Sequence, residues 1–324
     1  MRQVRLGTTG IEVSELCFGT MTFGRESDAA TSADVYARCR EAGIDFFDCA
    51  NVYAGGESER ILGRLVAAER DRIVLTSKVY FPMGEGPRAR GYSRAAIMHQ
   101  VEASLKRLGT DYLDLYFLHR FDEHTPIEDA LRALDDLIRQ GKIRYPAVSN
   151  FAAWQVARAL GTSERLGLAA FRCVQPMYNL LKRQAEVELL PMARSEGLAV
   201  IPYSPMAGGI LTGKYGSADL SVDGRLRDSD MYAKRYGAPS NFQIAQGFAK
   251  LASEHGWHPA ALAVAWVARH PAVTAPIIGA RNLEQLESSL PATEIRLDDA
   301  LYAEISGLAP SPPLATDREE ERES

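Results

Sequence analysis

Tyr112-Leu113-Asp114-Leu115-Tyr116-Phe117-Leu118 is a short, nearly continuous apolar run. After a polar break, Thr125-Pro126-Ile127-Glu128 opens a helical pattern. Ile127, Leu131, Leu134 and Ile138 then fall on one face of a 3.6-residue period. Thr125 and Glu128 have the spacing of a capping box, with Pro126 at the first helical position. Gly141 stands where a helix-ending glycine belongs, and Tyr145 to Val148 is apolar again. The segment reads as strand, helix, strand. Strands this continuous in apolar residues are buried on both faces, as in parallel sheets.

The same pattern recurs along the chain without a strict sequence repeat. The other apolar runs are Leu16 to Phe18, Ile44 to Phe47, Ile73 to Leu75, Cys173 to Gln175, Ala199 to Ile201 and Thr274 to Ile278. Helical patterns lie between them. Ile97, Val101, Leu105 and Leu108 share a face, with Ser93 as an N-cap. Residues 32–42, 58–67, 186–196 and 283–290 also fit helices. Eight strands alternating with helices, none a polar edge, predict an α/β fold closed as a (β/α)8 TIM barrel. Val4 to Leu6 and Ile11 to Val13 flank Gly7-Thr8-Thr9-Gly10, a short N-terminal β-hairpin outside the eightfold pattern. A long loop follows strand 7, between Tyr203 and Thr274, irregular to about Ser240 and then carrying two helical segments. Connections of this length are commonly lids or binding loops. Residues 1–310 are expected to form one domain and 311–324 an acidic, disordered tail. In that tail Asp317, Glu319, Glu320, Glu321 and Glu323 outnumber Arg318 and Arg322.

Composition narrows the function classes. The 324 residues are 46% hydrophobic and 24% charged, ample for a folded core. A net charge of −5 lacks the basic surplus of a nucleic-acid binder. No run of apolar residues is long enough to span a membrane, and Met1 to Leu16 has no signal-peptide core. Cys17, Cys39, Cys49 and Cys173 form neither a C-x-x-C pair nor a zinc spacing. Reduced thiols and a cytoplasmic location are the expectation.

Active sites of such barrels lie at the C-terminal ends of the strands. The polar residues there are Asp48, Lys78, His119, Ser149-Asn150, Gln175 and Tyr203. Tyr53 follows Asp48 within a Gly-rich loop. Taken singly, each has a plainer reading: a capping acid, a solvated lysine, a structural histidine, a packing tyrosine. Four such residues at three successive strand ends and one adjoining loop change that reading.

Phe47-Asp48-Cys49-Ala50-Asn51-Val52-Tyr53, Ser77-Lys78 and Leu118-His119 resemble the catalytic tetrad of the aldo-keto reductases, and of their potassium-channel-β-like branch in particular. The resemblance runs from Gly19-Thr20-Met21 to about Leu290. It includes Val148-Ser149-Asn150-Phe151, Tyr203-Ser204-Pro205, Leu211-Thr212-Gly213-Lys214 and Ile278-Gly279-Ala280-Arg281. It implies NADPH-dependent, reversible reduction of aldehydes or ketones. The chemistry is coherent in its own right. Carbonyl reduction needs a proton for the developing alkoxide, and a tyrosine of ordinary pKa near 10 can give one. A neighbouring ammonium should lower that value. Tyr53 is therefore the expected acid/base, Lys78 its tuner, Asp48 the partner of Lys78, and His119 the donor that orients the carbonyl.

No G-x-G-x-x-G opens a helix, so a Rossmann site is not expected. By resemblance, Ser149, Asn150 and Gln175 would hold the nicotinamide carboxamide, and Tyr203 would stack on its ring. Gly19, Thr20, Met21 and Pro205 belong to the same cofactor set. Ser204, Leu211 and Lys214 would border the pyrophosphate. Gly279 and Ala280 lead to Arg281, opposite the 2′-phosphate, with Gln285 and Ser289 near adenine. A guanidinium facing a phosphate favours NADP(H) over NAD. Ala147 replaces a glycine common in relatives, with Pro146 read as sitting at a strand start. Ser289 stands where many relatives carry Asn. Phe23, Tyr80 and Phe81 are expected to line the substrate pocket beside Met21, with Tyr232 or Tyr236 added from the long loop. Met83 to Gly91, with Arg88 and Arg90, reads as a mobile basic lid suited to a carboxylated or phosphorylated substrate.

The expected partner is a small carbonyl or alcohol, with no nucleic acid and no membrane; oligomeric state stays open. The alternative is a nicotinamide-binding regulatory subunit that senses redox state and turns over little. A metal-dependent lyase or hydrolase would need more inward ligands than Asp48 and His119, with Lys78 repelling the cation, so no metal is expected.

Overall fold

A computed structural model describes residues 1–216, 224–316 and 318. A hairpin of β1 (Gln3–Arg5) and β2 (Glu12–Ser14) comes first. The barrel strands are β3 (Cys17–Gly19), β4 (Phe46–Asp48), β5 (Val74–Val79), β6 (Leu113–Leu118), β7 (Ile143–Ser149), β8 (Cys173–Gln175), β9 (Ala199–Val200) and β10 (Ile277–Ile278). They pair in parallel and in sequence order, with β10 returning beside β3. Closure comes from Thr274 N donating to Val200 O at 2.8 Å and Ile277 N to Pro202 O at 2.9 Å. The architecture is the expected (β/α)8 barrel.

Alternation along each strand sorts the side chains. Cys17, Phe46, Leu115, Phe117, Ala147, Cys173, Ala199, Ile201, Ala275 and Ile277 form one buried cluster inside the barrel. Their odd-even partners, such as Phe18, Phe47, Leu75, Tyr116 and Val148, pack outward against the helices. Leu6 and Val13 of the hairpin join the inner cluster with no exposure, so the hairpin stoppers the lower end. The methyl of Ala147 fits within that inner layer.

Several local expectations are corrected. Ser93 does cap its helix (Arg94–Leu108), accepting from Ala96 N. Thr125 does not: the helix is Ile127–Arg139 with Pro126 at the cap, one residue later than a capping box needs. Thr125 Oγ1 instead donates to Asp122 at 2.7 Å. Pro146 lies mid-strand rather than at a strand start. Its carbonyl faces β8 and accepts from Arg172 N, so its missing N–H falls just before β8 pairing begins. The helix expected over 186–196 is shorter, Leu189–Ser195, after a 3-10 turn at Gln184–Glu186. The one over 283–290 ends at Glu287. The long connection is more helical than expected. Ala207–Thr212 is a 3-10 turn, and helices cover Arg225–Asp228, Asp230–Tyr236, Pro239–Glu254 and Pro259–Arg269. The acids of the tail lie outside the described residues.

Two helical glycines make opposite predictions. A Cβ on Gly63 would sit 2.3 Å from the backbone oxygen of Leu108, where helices Glu57–Val66 and Arg94–Leu108 touch. Gly161, in helix Ala153–Leu166, faces open space. Chemical denaturation should show Gly63→Ala less stable by about 1–3 kcal/mol and Gly161→Ala more stable by about 0.5–1 kcal/mol.

Candidate active site

At the tops of six of the eight strands the inward-facing side chains are polar. Phe46 gives way to Asp48, Thr76 to Lys78, Phe117 to His119, Ala147 to Ser149, Cys173 to Gln175 and Ile201 to Tyr203, each two residues on. Period-two alternation therefore carries all six side chains to one crown. Lys78 has no exposure; its Nζ donates to Asp48 Oδ2 at 2.5 Å and to Cys49 O at 2.9 Å. Asp48 Oδ1 accepts from Thr76 Oγ1 and from Gln175 Nε2, each at 2.9 Å. Burial pulls the Lys78 ammonium down, but the Asp48 carboxylate outweighs it and holds the group above its ordinary value.

Tyr53 reaches the same ammonium from a loop. Lys78 Nζ donates to the Tyr53 hydroxyl oxygen at 3.3 Å. The chain after Tyr53 passes through three left-handed residues, Ala54 (φ 48°), Gly55 (φ 62°) and Gly56 (φ 92°), before helix Glu57–Val66 begins. Left-handed backbone strains alanine and suits glycine, and a Cβ on Gly56 would lie 2.8 Å from Arg107 Cδ. Helix Glu57–Val66 is pinned in turn. Fully buried Glu59 accepts from Ser77 Oγ at 2.5 Å and from Arg107 Nε at 2.6 Å. Ser77 is the neighbour of Lys78, so one carboxylate ties the turn that carries Tyr53 to the strand that carries Lys78. Ser58 adds a bond to Thr20 O at 2.7 Å.

The electrostatics differ from expectation at Tyr53. Burial pushes its hydroxyl up to about 12, while Lys78 pulls the other way and Asp48 screens that pull. His119 is held well below its ordinary value, chiefly by burial and then by the Lys78 charge, so it is neutral at pH 7. Its ring meets Tyr53 edge-on with centroids 6.2 Å apart, and meets Phe81 at 4.9 Å. His119 Nδ1 is buried with no hydrogen-bond partner.

A cavity of about 820 Å³ opens above this crown, within the usual range of ligand clefts. Asp48, Tyr53, His119, Ser149, Asn150, Gln175 and Tyr203 line it, as do Gly19, Met21 and Phe81. Ser204, Pro205, Lys214, Gly279, Ala280, Arg281 and Gln285 form the rest of its predicted wall. The polar side chains are already tied to one another. Ser149 Oγ donates to Gln175 O, Asn150 Nδ2 to His119 O, and Tyr203 OH to Asn150 Oδ1 at 2.7 Å. Arg281 has Asp228 at 3.7 Å and Glu26 at 3.9 Å.

Other candidates are not at the cavity. Thr20 is fully buried, its hydroxyl on Asp48 O, because alternation turns it from the cavity toward Ser58. Leu211 and Ser289 are also buried, the first inside its 3-10 turn, the second bonded back to Gln285 O. Phe23 packs on Phe18 in the outer core. Tyr80 packs edge-on against Phe81, its carbonyl taken by Gly91 N. Tyr236 is buried, bonded to Asn179, whereas Tyr232 does line the cavity. Arg88 and Arg90 are exposed away from it. Within their loop Met83 N donates to Ala89 O, and Gln100 Nε2 donates to Arg88 O.

Sequence reading missed Thr22, Arg25, Arg120, Arg225 and Arg235, all of which line the cavity. Arg120 carried a signal, being the residue after His119 at a strand end. Thr22 carried none; its hydroxyl donates to Ala280 O, fastening the loop after β3 to the loop after β10.

The sequence profile described as the Aldo/keto reductase family matches residues 15–310. Over 323 residues the chain is 38% identical to an uncharacterized oxidoreductase, YrpG, of Bacillus subtilis, covering 96% of this chain and 97% of that one. It is 36% identical over 302 residues to a probable voltage-gated potassium channel subunit beta of Arabidopsis thaliana, covering 91% and 92%. It is 29% identical over 323 residues to versiconal hemiacetal acetate reductase of Aspergillus parasiticus, covering 92% and 94%. A profile spanning the whole barrel, joined to relatives matched almost end to end, shows that the chain belongs to the aldo/keto reductase family of oxidoreductases.

Proposed function

We propose that this chain reduces aldehydes and ketones to alcohols, reversibly, with NADPH, and that Tyr53 is the general acid/base. The observation that carries the proposal is the bonded series Asp48, Lys78, Tyr53 beside neutral His119 at the floor of the cavity. The cavity fits a multiply phosphorylated cofactor. Among the described residues, Arg25, Arg120, Lys214, Arg225, Arg235 and Arg281 line it, against the acid Asp48, whose charge Lys78 matches. Bound NADPH supplies the hydride. Tyr53 holds its proton firmly in the resting site and gives it up as the carbonyl oxygen takes on alkoxide character, since an alkoxide is far more basic than a phenolate. Lys78 stabilises the phenolate left behind, and Asp48 keeps Lys78 charged. His119, being neutral, offers an N–H to the carbonyl oxygen as a second donor.

In this reading Ser149, Asn150, Gln175 and Tyr203 hold the nicotinamide end. Lys214 and Arg281 face the phosphates, with Gln285 toward adenine. Asp228 and Glu26 flank Arg281 and place its guanidinium for a 2′-phosphate. Four buried cysteines free of disulfides go with a cytoplasmic enzyme. A second reading, a cofactor-holding regulatory subunit with little turnover, draws on the relatives named as channel beta subunits.

Three outcomes test the proposal. With a reactive aromatic aldehyde, NADPH absorbance should fall for the wild type, and Tyr53→Phe should lose at least about 100-fold in kcat while cofactor affinity holds. Slow turnover of every carbonyl by wild type, with tight NADPH binding, would favour the regulatory reading. The pH profile of kcat/KM should show no break near 6.5, because His119 stays neutral, and none below about 9, because Tyr53 stays protonated. Arg281→Gln should raise the KM for NADPH by about tenfold or more and that for NADH little, the worth of a charged hydrogen bond.

A further inference from the structure

The cations around the cavity are not equivalent. Arg281 is flanked by Asp228 and Glu26, Arg225 donates to Tyr232 OH at 3.1 Å, and Lys214 lies over the Tyr215 ring at 4.9 Å. These three belong to the wall built by the long insertion and the loop after β10. Arg25 follows Thr22, whose hydroxyl is fastened to Ala280 on that same side. Arg235 lies over the Tyr232 ring. Arg120 belongs to the opposite wall. It follows His119 at the end of β6, one Cα step of about 3.8 Å away, and lines the cavity with its side chain exposed at the mouth.

Among the described residues the Arg120 guanidinium has no hydrogen bond, ion pair or aromatic face. The nearby acid Asp122 is already engaged, accepting from Thr125 Oγ1 at 2.7 Å and from His124 N at 3.1 Å. Met21, Val52, Phe81 and Tyr203 bring apolar or aromatic surface to the same cavity, and the polar groups Ser149, Asn150 and Gln175 there are uncharged. An anionic group carried into this end of the cavity would therefore find its charge partner in Arg120. A guanidinium presents paired N–H groups that match a carboxylate or phosphate, and its weak hydration lets it pair readily.

We propose that Arg120 is a specificity-determining residue that receives an anionic group, carboxylate or phosphate, on the carbonyl substrate. The preferred substrates are then aldehydes or ketones bearing that group within an arginine's reach of the carbonyl. The proposal rests on the reading of Tyr53 and His119 as the pair that engages the carbonyl oxygen.

The test compares 4-carboxybenzaldehyde with its neutral methyl ester, and glyceraldehyde 3-phosphate with glyceraldehyde, in NADPH-consumption assays. Wild type should favour the anionic member of at least one pair by about tenfold in kcat/KM, mainly through KM; the pair that responds identifies the group. Arg120→Met should bring that ratio close to one, and Arg120→Lys should keep part of it. Calorimetry with the unreactive 4-methylbenzoate and 4-methylbenzamide gives a readout free of turnover, with the benzoate preference falling in Arg120→Met. Equal rates within both pairs, or a preference that survives Arg120→Met, overturns the anion site and leaves the reductase reading standing. Arg120-dependent benzoate binding without reduction of any aldehyde supports the anion site and overturns the reductase reading.

Discussion

The upper half of the barrel depends on one buried charge. Lys78 sits among strands with no exposure, and an ammonium there is tolerable only if its partners are in place. Asp48 supplies the countercharge, and Cys49 O supplies a further acceptor. Asp48 also takes hydrogen bonds from Thr76 on β5 and Gln175 on β8, so the pair joins strands from opposite sides of the barrel. Losing either partner would strand a charge in the core, at a cost of about 3–5 kcal/mol. The same ammonium is aimed at Tyr53. One interaction thus fixes the crown and bears on the electrostatics of the Tyr53 hydroxyl.

What the sequence made legible follows from periodicity. The apolar runs were read as buried parallel strands, and the polar residues ending them as a common mouth. Asp48, Lys78, His119, Ser149, Gln175 and Tyr203 do meet there. The deeper reason is that each lies two residues beyond an inward-facing side chain, apolar in every case but Thr76. Thr20 fails the same rule, since alternation faces it away from the cavity; Tyr80 lies past the end of β5, where packing on Phe81 and the bond from Gly91 N decide its position.

The remaining features depend on long-range packing. No local signal reveals that Glu59 will join Ser77 and Arg107, or that Pro146 will find the stretch beside β8 where its missing donor does no harm. The Tyr53 hydroxyl illustrates the limit well. Its neighbour Lys78 was foreseen and should lower the pKa, but the depth of burial, which reverses the sign, exists only once the barrel has closed. Arg120 was passed over for a related reason: whether a surface arginine is solvated or faces a cleft depends on walls contributed from elsewhere in the chain.

The hairpin has a consequence for traffic. Leu6 and Val13 fill the lower end of the barrel, and Tyr145 OH bonds to Thr9 O, locking the stopper in place. Together with the packed inner cluster above them, they leave the cavity closed from below. Whatever reaches Tyr53 must come down through the mouth and leave by the same route, past the insertion that forms one side of it. Arrival and departure share one passage. A fold element remote from the chemistry in this way imposes an itinerary on the molecules that take part in it.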